Sequence, residues 1–490
     1  MKNSLFKNSM FKALLSICNI IIPLIIGPYV THLLNVDLYG SFNKVISELN
    51  IFIVIGSFGV YNYGIKEISK IRNDKTKVND MFTNLFVISL ITNLIVCTIY
   101  LFYAFLTSSG IVLIIYLTSS VQFLANIFYM EFVNEALENY KFITEKTLIV
   151  RILYLLCIFL FVKNENDIIL YSIIYSGVVF INNIISYLYI KKHIKFNFKN
   201  LNLKRYLKPL LMIFLIGSVE ILYFQLDKVM LGKLVSDVSV SIYQIPYMIM
   251  SMIITIPTAV VSVSIPRLSN ILTEKGKKEY EDKLSSVFSY FMILILPVCF
   301  GVFALSDEII YLYAGQKYLE SAALLKVFSI TRIFIGFEAF MTLLIIYINN
   351  KEKKLLQIFS LVGFLNLIVN IVLYKINLFN PLNAALSTGI LYVLLVCLEF
   401  WYIRKKVNVD VKIFKKNNFL YLLLSLSFVL VSYFTHYIFN NMYIVILSTM
   451  CLCILIYVVG LLISKDQITL NTINNFLLKF KRRKSWKKTL

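Results

Sequence analysis

Charge is scarce in this chain. Only 15% of its 490 residues are Asp, Glu, Lys or Arg, against roughly 25% in an average soluble domain. Acidic side chains are the scarcer kind: 26 Asp and Glu stand against 48 Lys and Arg. Apolar residues take the place of charge, at 59% of the chain, with 39 Phe and 32 Tyr among them. A water-soluble core cannot bury that much apolar side chain, so a soluble globular protein is excluded. A bilayer can take it up, because a helix of about 20 apolar residues crosses the hydrocarbon with its backbone groups bonded internally.

Cysteine and histidine exclude two further classes. The seven cysteines all fall in apolar stretches, where Cys behaves as a small hydrophobe, so no disulfide framework is expected. Cys451 and Cys453 stand two apart, a spacing that cannot converge on one metal from a helix. The three histidines, His32, His193 and His436, are far apart, so no metal and no cofactor are expected. Extramembrane domains are missing too: the longest outward connection runs only from Ser306 to Ser321. A membrane enzyme acting on sugars needs more room than that for donor and acceptor, so the reading is a non-enzyme whose site lies among its helices. The first apolar stretch carries Pro23, Gly27 and Pro28 without a small-residue cleavage site, and is read as the first helix rather than a cleaved signal.

What is present is a series of apolar runs. Fourteen transmembrane helices are expected, near 13–34, 40–64, 82–106, 110–130, 148–162, 168–190, 209–231, 240–265, 285–305, 322–348, 355–374, 382–402, 418–438 and 442–463. The net charge of +22 would suggest nucleic acid in a soluble protein, but its placement excludes that partner. Alternate connections hold 39 of the 48 Lys and Arg, whereas the opposite set holds four, Lys163, Lys233, Lys317 and Lys375. Cytoplasmic loops carry such an excess, which places both termini in the cytoplasm of a multi-pass cell-membrane protein. The basic tail KFKRRKSWKK at 479–488 reads as a juxtamembrane segment drawn to anionic lipid.

A weak internal repeat is also present. LLNVDLYGSFNKVISEL at 33–49 matches KLVSDVSVSIYQIPYMI at 233–249, with Phe42 and Tyr243 equivalent, and Lys66 and Arg267 follow at the same offset. Six helices separate the copies, so they share one orientation. The expected architecture is therefore all-α. It comprises a six-helix bundle over 1–200, a second over 201–404 in parallel pseudo-repeat, and two extra helices with the tail over 405–490.

Charged side chains inside the spans are the candidates for function, since each costs about 2.5–3.5 kcal/mol at mid-bilayer on insertion scales. Glu220 and Asp227 lie seven apart on one face of the seventh span. Lys228 follows, and Asp227 with Lys228 reads as a local pair near the outer end. Lys44 and Glu48 form an i,i+4 pair near the outer end of the second span, and the tenth carries Lys326, Arg332 and Glu338. Lys44, Lys228 and Lys326 are close enough to an interface to snorkel; Glu220, Arg332 and Glu338 lie deeper and are expected to face a lumen. Pro23, Pro28, Pro246, Pro257 and Pro297 interrupt long helices, as alternating-access carriers and many other membrane helices allow.

These stretches carry a resemblance. LLSICNIIIPLIIGPYVTHLLNVDLYGSFNKV, GSFGVYNYGIKEISKIRND, FQLDKVMLGKLVSDVSVSIYQIPYMIM, IPRLSNILTEKGKKE, GQKYLESAALLKVFSI and YINNKEKKLLQIFSLVGFLNLIVNIVL, in that order, resemble the Wzx-type polysaccharide and O-antigen flippases. That family is grouped with MATE transporters and the MurJ-like lipid II flippases. The resemblance implies two six-helix bundles that alternate between inward-open and outward-open states around a cationic cavity. It implies as substrate an undecaprenyl-diphosphate-linked oligosaccharide, turned over for capsule or O-antigen assembly. It places membrane lipids around the protein and polysaccharide polymerase machinery downstream. Lys66 and Glu67 match the family's basic–acidic pair after the second helix, and Asp227 its helix-seven aspartate. Ser241 departs from it, since the family often has Gly before the helix-eight Tyr. Arg332, Lys44, Lys228 and Lys326 would offset the diphosphate charge, and Asn126, Gln225, Gln244 and Asn366 would bond sugars or neighbouring helices. A MATE-type drug or cation antiporter and a lipid II flippase stay open as alternatives, as does coupling to an H+ or Na+ gradient.

Overall fold

The computed structural model describes residues 2–349, 351, 353–411 and 415–471, with side chains described outside 2–14, 16, 216–224 and 353. All regular structure among the described residues is helical. The first helices are α1 (Lys2–Leu33), α2 (Val36–Ser57), α3 (Val60–Ile71), α4 (Lys75–Thr107), α5 (Gly110–Ile127), α6 (Glu131–Ala136), α7 (Tyr140–Phe161), α8 (Ile168–Lys191) and α9 (Leu203–Leu234). They are followed by α10 (Asp237–Ile253), α11 (Thr255–Glu274), α12 (Lys277–Ala304), α13 (Ser306–Ala314), α14 (Ser321–Met341), α15 (Lys353–Lys375), α16 (Pro381–Tyr402), α17 (Lys416–Ile438) and α18 (Met442–Ile463).

Among the described residues, ten helical stretches are long and apolar enough to cross a membrane, or eleven when the bent pair α10–α11 counts as one span. Fourteen are expected from sequence. The other three runs fall on α1, α7 and α9. In α1 the described apolar part is only Ile17–Leu33, and α9 is described in part. α7 carries Lys141, Glu145, Lys146 and Arg151, with Ile149, Ile152 and Leu160 on its exposed side. Helix surfaces suit lipid as their solvent: Leu106 is 69% exposed and Ile463 77%, an arrangement that favours lipid over water.

Several expected spans are broken helices. The run at 40–64 is interrupted at Phe58 and Gly59, whose φ values of 45° and 73° end α2 and start α3. A Cβ on Gly59 would come within 2.8 Å of the Leu210 carbonyl oxygen, so both the left-handed backbone and the close approach favour glycine. The run at 240–265 bends by 47° between α10 and α11. Pro257 lies three residues into α11 and has no N–H for the Ile253 carbonyl, which accounts for a break there. At the C-terminal end of α14 the chain passes into a π turn, Thr342–Ile346, a local feature that recurs at functional sites.

The chain divides into two compact units. Unit 1 comprises residues 1–245, 312–318 and 359–384; unit 2 comprises 246–311, 319–358 and 385–490. In unit 1, α5 packs on α8, α2 on α4 and α9, and α1 on α7. Lys317 Nζ donates to the carbonyls of His32 at 3.0 Å and Leu34 at 2.6 Å, closing the C-terminal end of α1 as a cation does well. Burial lowers the Lys317 pKa, with the Glu165 charge opposing it. At the start of α4, bonds from Thr76 Oγ1 and from the Lys77 N–H and side chain pull the Asp74 pKa down to about 2. In unit 2, α12 packs on α11, α14 and α17, and α17 on α18.

Candidate functional site

The two stretches that read as copies of one another are in contact within unit 1. Asp237, in the first turn of α10, accepts from Lys44 Nζ at 2.5 Å and from Ser41 Oγ at 2.5 Å. A helix N-terminus is a favourable place for such a carboxylate. Ser241 Oγ donates to the Val36 carbonyl at 2.7 Å. Gly40 makes the approach feasible, since a Cβ there would stand 1.9 Å from the Asp237 carbonyl oxygen. Ser241, the departure from the family pattern, thus has a bond of its own. The Lys44 stem lies over Gly232 of α9, where a Cβ would be 2.5 Å from Lys44 Cδ.

Glu48, one turn beyond Lys44, is buried and accepts from Tyr103 OH at 2.9 Å and from Tyr116 OH. Lys233 Nζ stands 3.8 Å from its other oxygen. The expected i,i+4 pair therefore gives way to bonds with other helices, because those helices bring Asp237, two tyrosines and Lys233 within reach. Asp227 and Lys228, adjacent on α9, are both buried. Asp227 is 2% exposed and accepts from Tyr243 OH and Asn370 Nδ2, each at 2.7 Å, and Lys228 is buried. Lys66 is exposed on α3, and Glu67 pairs with Lys70 at 2.7 Å on the same helix. The Glu220 side chain lies outside the described residues.

Polar groups expected to meet sugar divide into two kinds. Asn126 donates to Ser57 Oγ at 2.9 Å and to Asn93 Oδ1 at 2.8 Å, and Asn366 accepts from Asn370. Gln225 Oε1 and Gln244 Oε1, by contrast, are buried with no hydrogen-bond partner. Buried acceptors are normally satisfied, which sets these two apart.

Unit 2 also holds a buried cation. Arg332 of α14 is 6% exposed; its Nη2 donates to Ser251 Oγ at 2.7 Å, and its guanidinium stands 5.0 Å from the centre of the Tyr247 ring. Its Nε has no partner, and it makes no ion pair among the described residues. Glu338, also on α14, is buried and interacts electrostatically with Glu399 of α16. Glu399 is 0% exposed; its Oε1 accepts from Thr342 Oγ1 at 2.9 Å and its Oε2 has no partner. Thr342 opens the π turn. Lys326 pairs with Asp307 at 2.6 Å near the surface, as a snorkelling lysine can.

Sequence reading passes over two features. Glu399 falls near the end of its expected span, where an acid reads as interfacial. Lys146 falls in a stretch read as a loop, yet it is buried and donates to Glu131 at 3.0 and 3.1 Å and to Ser186 Oγ at 3.1 Å. Glu131 opens α6 and Lys146 lies on α7, and both helices pack on α8, which carries Ser186.

Comparison with known proteins fits this picture. The profile of the polysaccharide biosynthesis protein family matches residues 5–272. A protein of Shigella dysenteriae named "Putative O-antigen transporter" is 21% identical over 371 residues, covering 74% of this chain and 91% of that protein. The inward closed conformation of the lipid II flippase MurJ superposes with a TM-score of 0.73 at 17% identity, over 94% of this chain and 100% of that one. An inward-facing multidrug resistance MATE family transporter of the MOP superfamily gives 0.57 at 14% identity, over 80% and 98%. At these identities the two structures speak for the fold.

Proposed function

This chain belongs to the polysaccharide biosynthesis protein family, and from that membership we propose that it is a flippase for undecaprenyl-diphosphate-linked oligosaccharides. It would carry them from the inner to the outer leaflet of the cytoplasmic membrane by alternating access. On this reading the chain crosses the membrane fourteen times with both termini in the cytoplasm, as two six-helix repeats over 1–200 and 201–404 followed by two helices. The O-antigen transporter and the MurJ and MATE folds support a membrane transporter in polysaccharide assembly rather than an enzyme.

Arg332 is the observation that carries the substrate class. A diphosphate headgroup is costly in hydrocarbon unless its charge is met. A buried guanidinium bound to a hydroxyl and a ring, with Nε unbonded, keeps donors available for phosphate oxygens. The prenyl chain needs no protein site, since lipid accommodates it. Deleting the gene should trap lipid-linked oligosaccharide in the inner leaflet and abolish surface glycan; unchanged glycan would refute the reading.

A second reading rests on the Glu338–Glu399 pair. Two buried carboxylates in α14 and α16 suit a cation, as a drug or cation antiporter requires. It predicts that Glu399→Gln abolishes efflux of a cationic dye and leaves glycan export intact.

A further inference from the structure

One cavity in unit 2 takes no part in the reading above. It encloses about 730 Å3 and is walled by residues 260–271 of α11 and 283–290 of α12, the N-terminus of α17 and the segment after α18. Four cations line it, Arg267, Lys283, Lys415 and Lys416, and its lining contains no acidic residue. None of the four forms an ion pair among the described residues. The acid beneath, Asp466, is already engaged: Asn417 and Tyr421 donate to Oδ1, and Thr469 to Oδ2.

The placement of Lys415 and Lys416 is itself unfavourable. They occupy the N-cap and first position of α17, where no side chain caps the helix and no acid stands in the first turn. Cations at this end oppose the helix dipole, while its free N–H groups favour an anion. Removing lysine would relieve the repulsion. So would a bound anion, and the cavity gives it room.

A second, apolar groove of about 600 Å3 adjoins the first, sharing Lys415 and Lys416. Phe334 and Phe337 of α14 and Phe419 of α17 line it. A cationic recess that continues into an aromatic groove matches a molecule with an anionic head and a hydrocarbon chain. Basic pockets between membrane helices hold such heads, and Arg267, Lys283 and the Lys415–Lys416 pair all fall in stretches that sequence assigns to the cytoplasmic side.

We propose that this cavity binds an anionic phospholipid of the cytoplasmic leaflet, its phosphate among Arg267, Lys283, Lys415 and Lys416 and an acyl chain against Phe334, Phe337 and Phe419. The occupant is a resident lipid rather than the transported one, because the cavity is distinct from Arg332 and because anionic phospholipid is the abundant phosphate ligand at that surface. Only the leaflet rests on the sidedness proposed above.

The test is native mass spectrometry of the full chain, released from detergent after incubation with phosphatidylglycerol, phosphatidylcholine, a polyprenyl diphosphate or inorganic phosphate. Wild type should retain phosphatidylglycerol at least about tenfold better than phosphatidylcholine, a difference of about 1.4 kcal/mol. Arg267→Gln/Lys283→Gln/Lys415→Gln/Lys416→Gln should lose that preference, while Lys75→Gln/Lys77→Gln on exposed α4 keeps it. Equal retention of both phospholipids, or an unchanged preference in the quadruple variant, overturns the proposal. So does polyprenyl diphosphate outcompeting phosphatidylglycerol at the cavity, or inorganic phosphate displacing it at equal concentration. Thermal unfolding of the quadruple variant separates loss of the site from loss of the fold. The readout is binding, so a failure of the flippase reading would leave it untouched.

Discussion

Arg332 Nη2 donates to Ser251 Oγ at 2.7 Å while Nε of the same guanidinium bonds nothing. A buried cation held by one hydroxyl and one ring is oriented but not neutralised. That combination is what a binding site for a mobile anion requires, and it costs stability when no anion is present.

Arg332→Gln should therefore separate function from folding. Export of glycan is expected to fall at least about tenfold, the effect of losing one charge-assisted bond of about 1.5–3 kcal/mol. Membrane insertion and expression should be unchanged, because removing an uncompensated buried charge relieves rather than strains the fold. Surface glycan at wild-type level in this variant would remove Arg332 from the site.

Lys44 and Asp237 form a bridge between α2 and α10 that is only partly buried. Either single change, Lys44→Met or Asp237→Asn, should lower export, and the double variant should recover part of the loss. A double-mutant cycle on transport rate gives the coupling, expected at about 0.5–3 kcal/mol for residues in contact. Strict additivity would mean that the pair does not act as a unit.

Lys146 and Glu131 make the clearest stability prediction. Both are buried, with Ser186 completing the group. Lys146→Met leaves Glu131 without its counter-charge and should cost about 3–5 kcal/mol, read as a lower unfolding temperature in detergent. Lys146→Met/Glu131→Gln should regain most of that. Transport by the molecules that do fold is expected to be normal.

Asp227 tests the unit 1 site. Asn370→Ala and Tyr243→Phe each remove one donor from a buried carboxylate, and each should destabilise by about 1–3 kcal/mol. Asp227→Asn keeps the shape and removes the charge. If Asp227 serves only the fold, the three variants lose export in proportion to stability; a role in transport shows as Asp227→Asn losing far more.

These residues also mark how far sequence reaches. Hydropathy locates the apolar runs, because spans in lipid must satisfy their backbone locally, and ten or eleven of the fourteen are long and apolar enough among the described residues to cross a membrane. Breaks were harder to see. The interruption at Phe58–Gly59 depends on a left-handed pair and on the Leu210 carbonyl lying across from it, a tertiary contact with no local signature. The same holds at the site. Embedded charge flagged Lys44, Glu48, Asp227 and Arg332, but partners such as Asp237, Asn370, Tyr116 and Ser251 lie far away in sequence. Glu399 stands in an apolar run like Glu338, but its place near the end of that run reads as interfacial.

Reconstitution measures the central claim most directly. Purified protein would be placed in vesicles carrying a labelled undecaprenyl-diphosphate oligosaccharide in one leaflet, with transfer read by an impermeant glycosidase. The account predicts transfer that requires the protein and that Arg332→Gln reduces at least about tenfold. No transfer of the glycolipid, together with protein-dependent movement of a cationic dye, would contradict it.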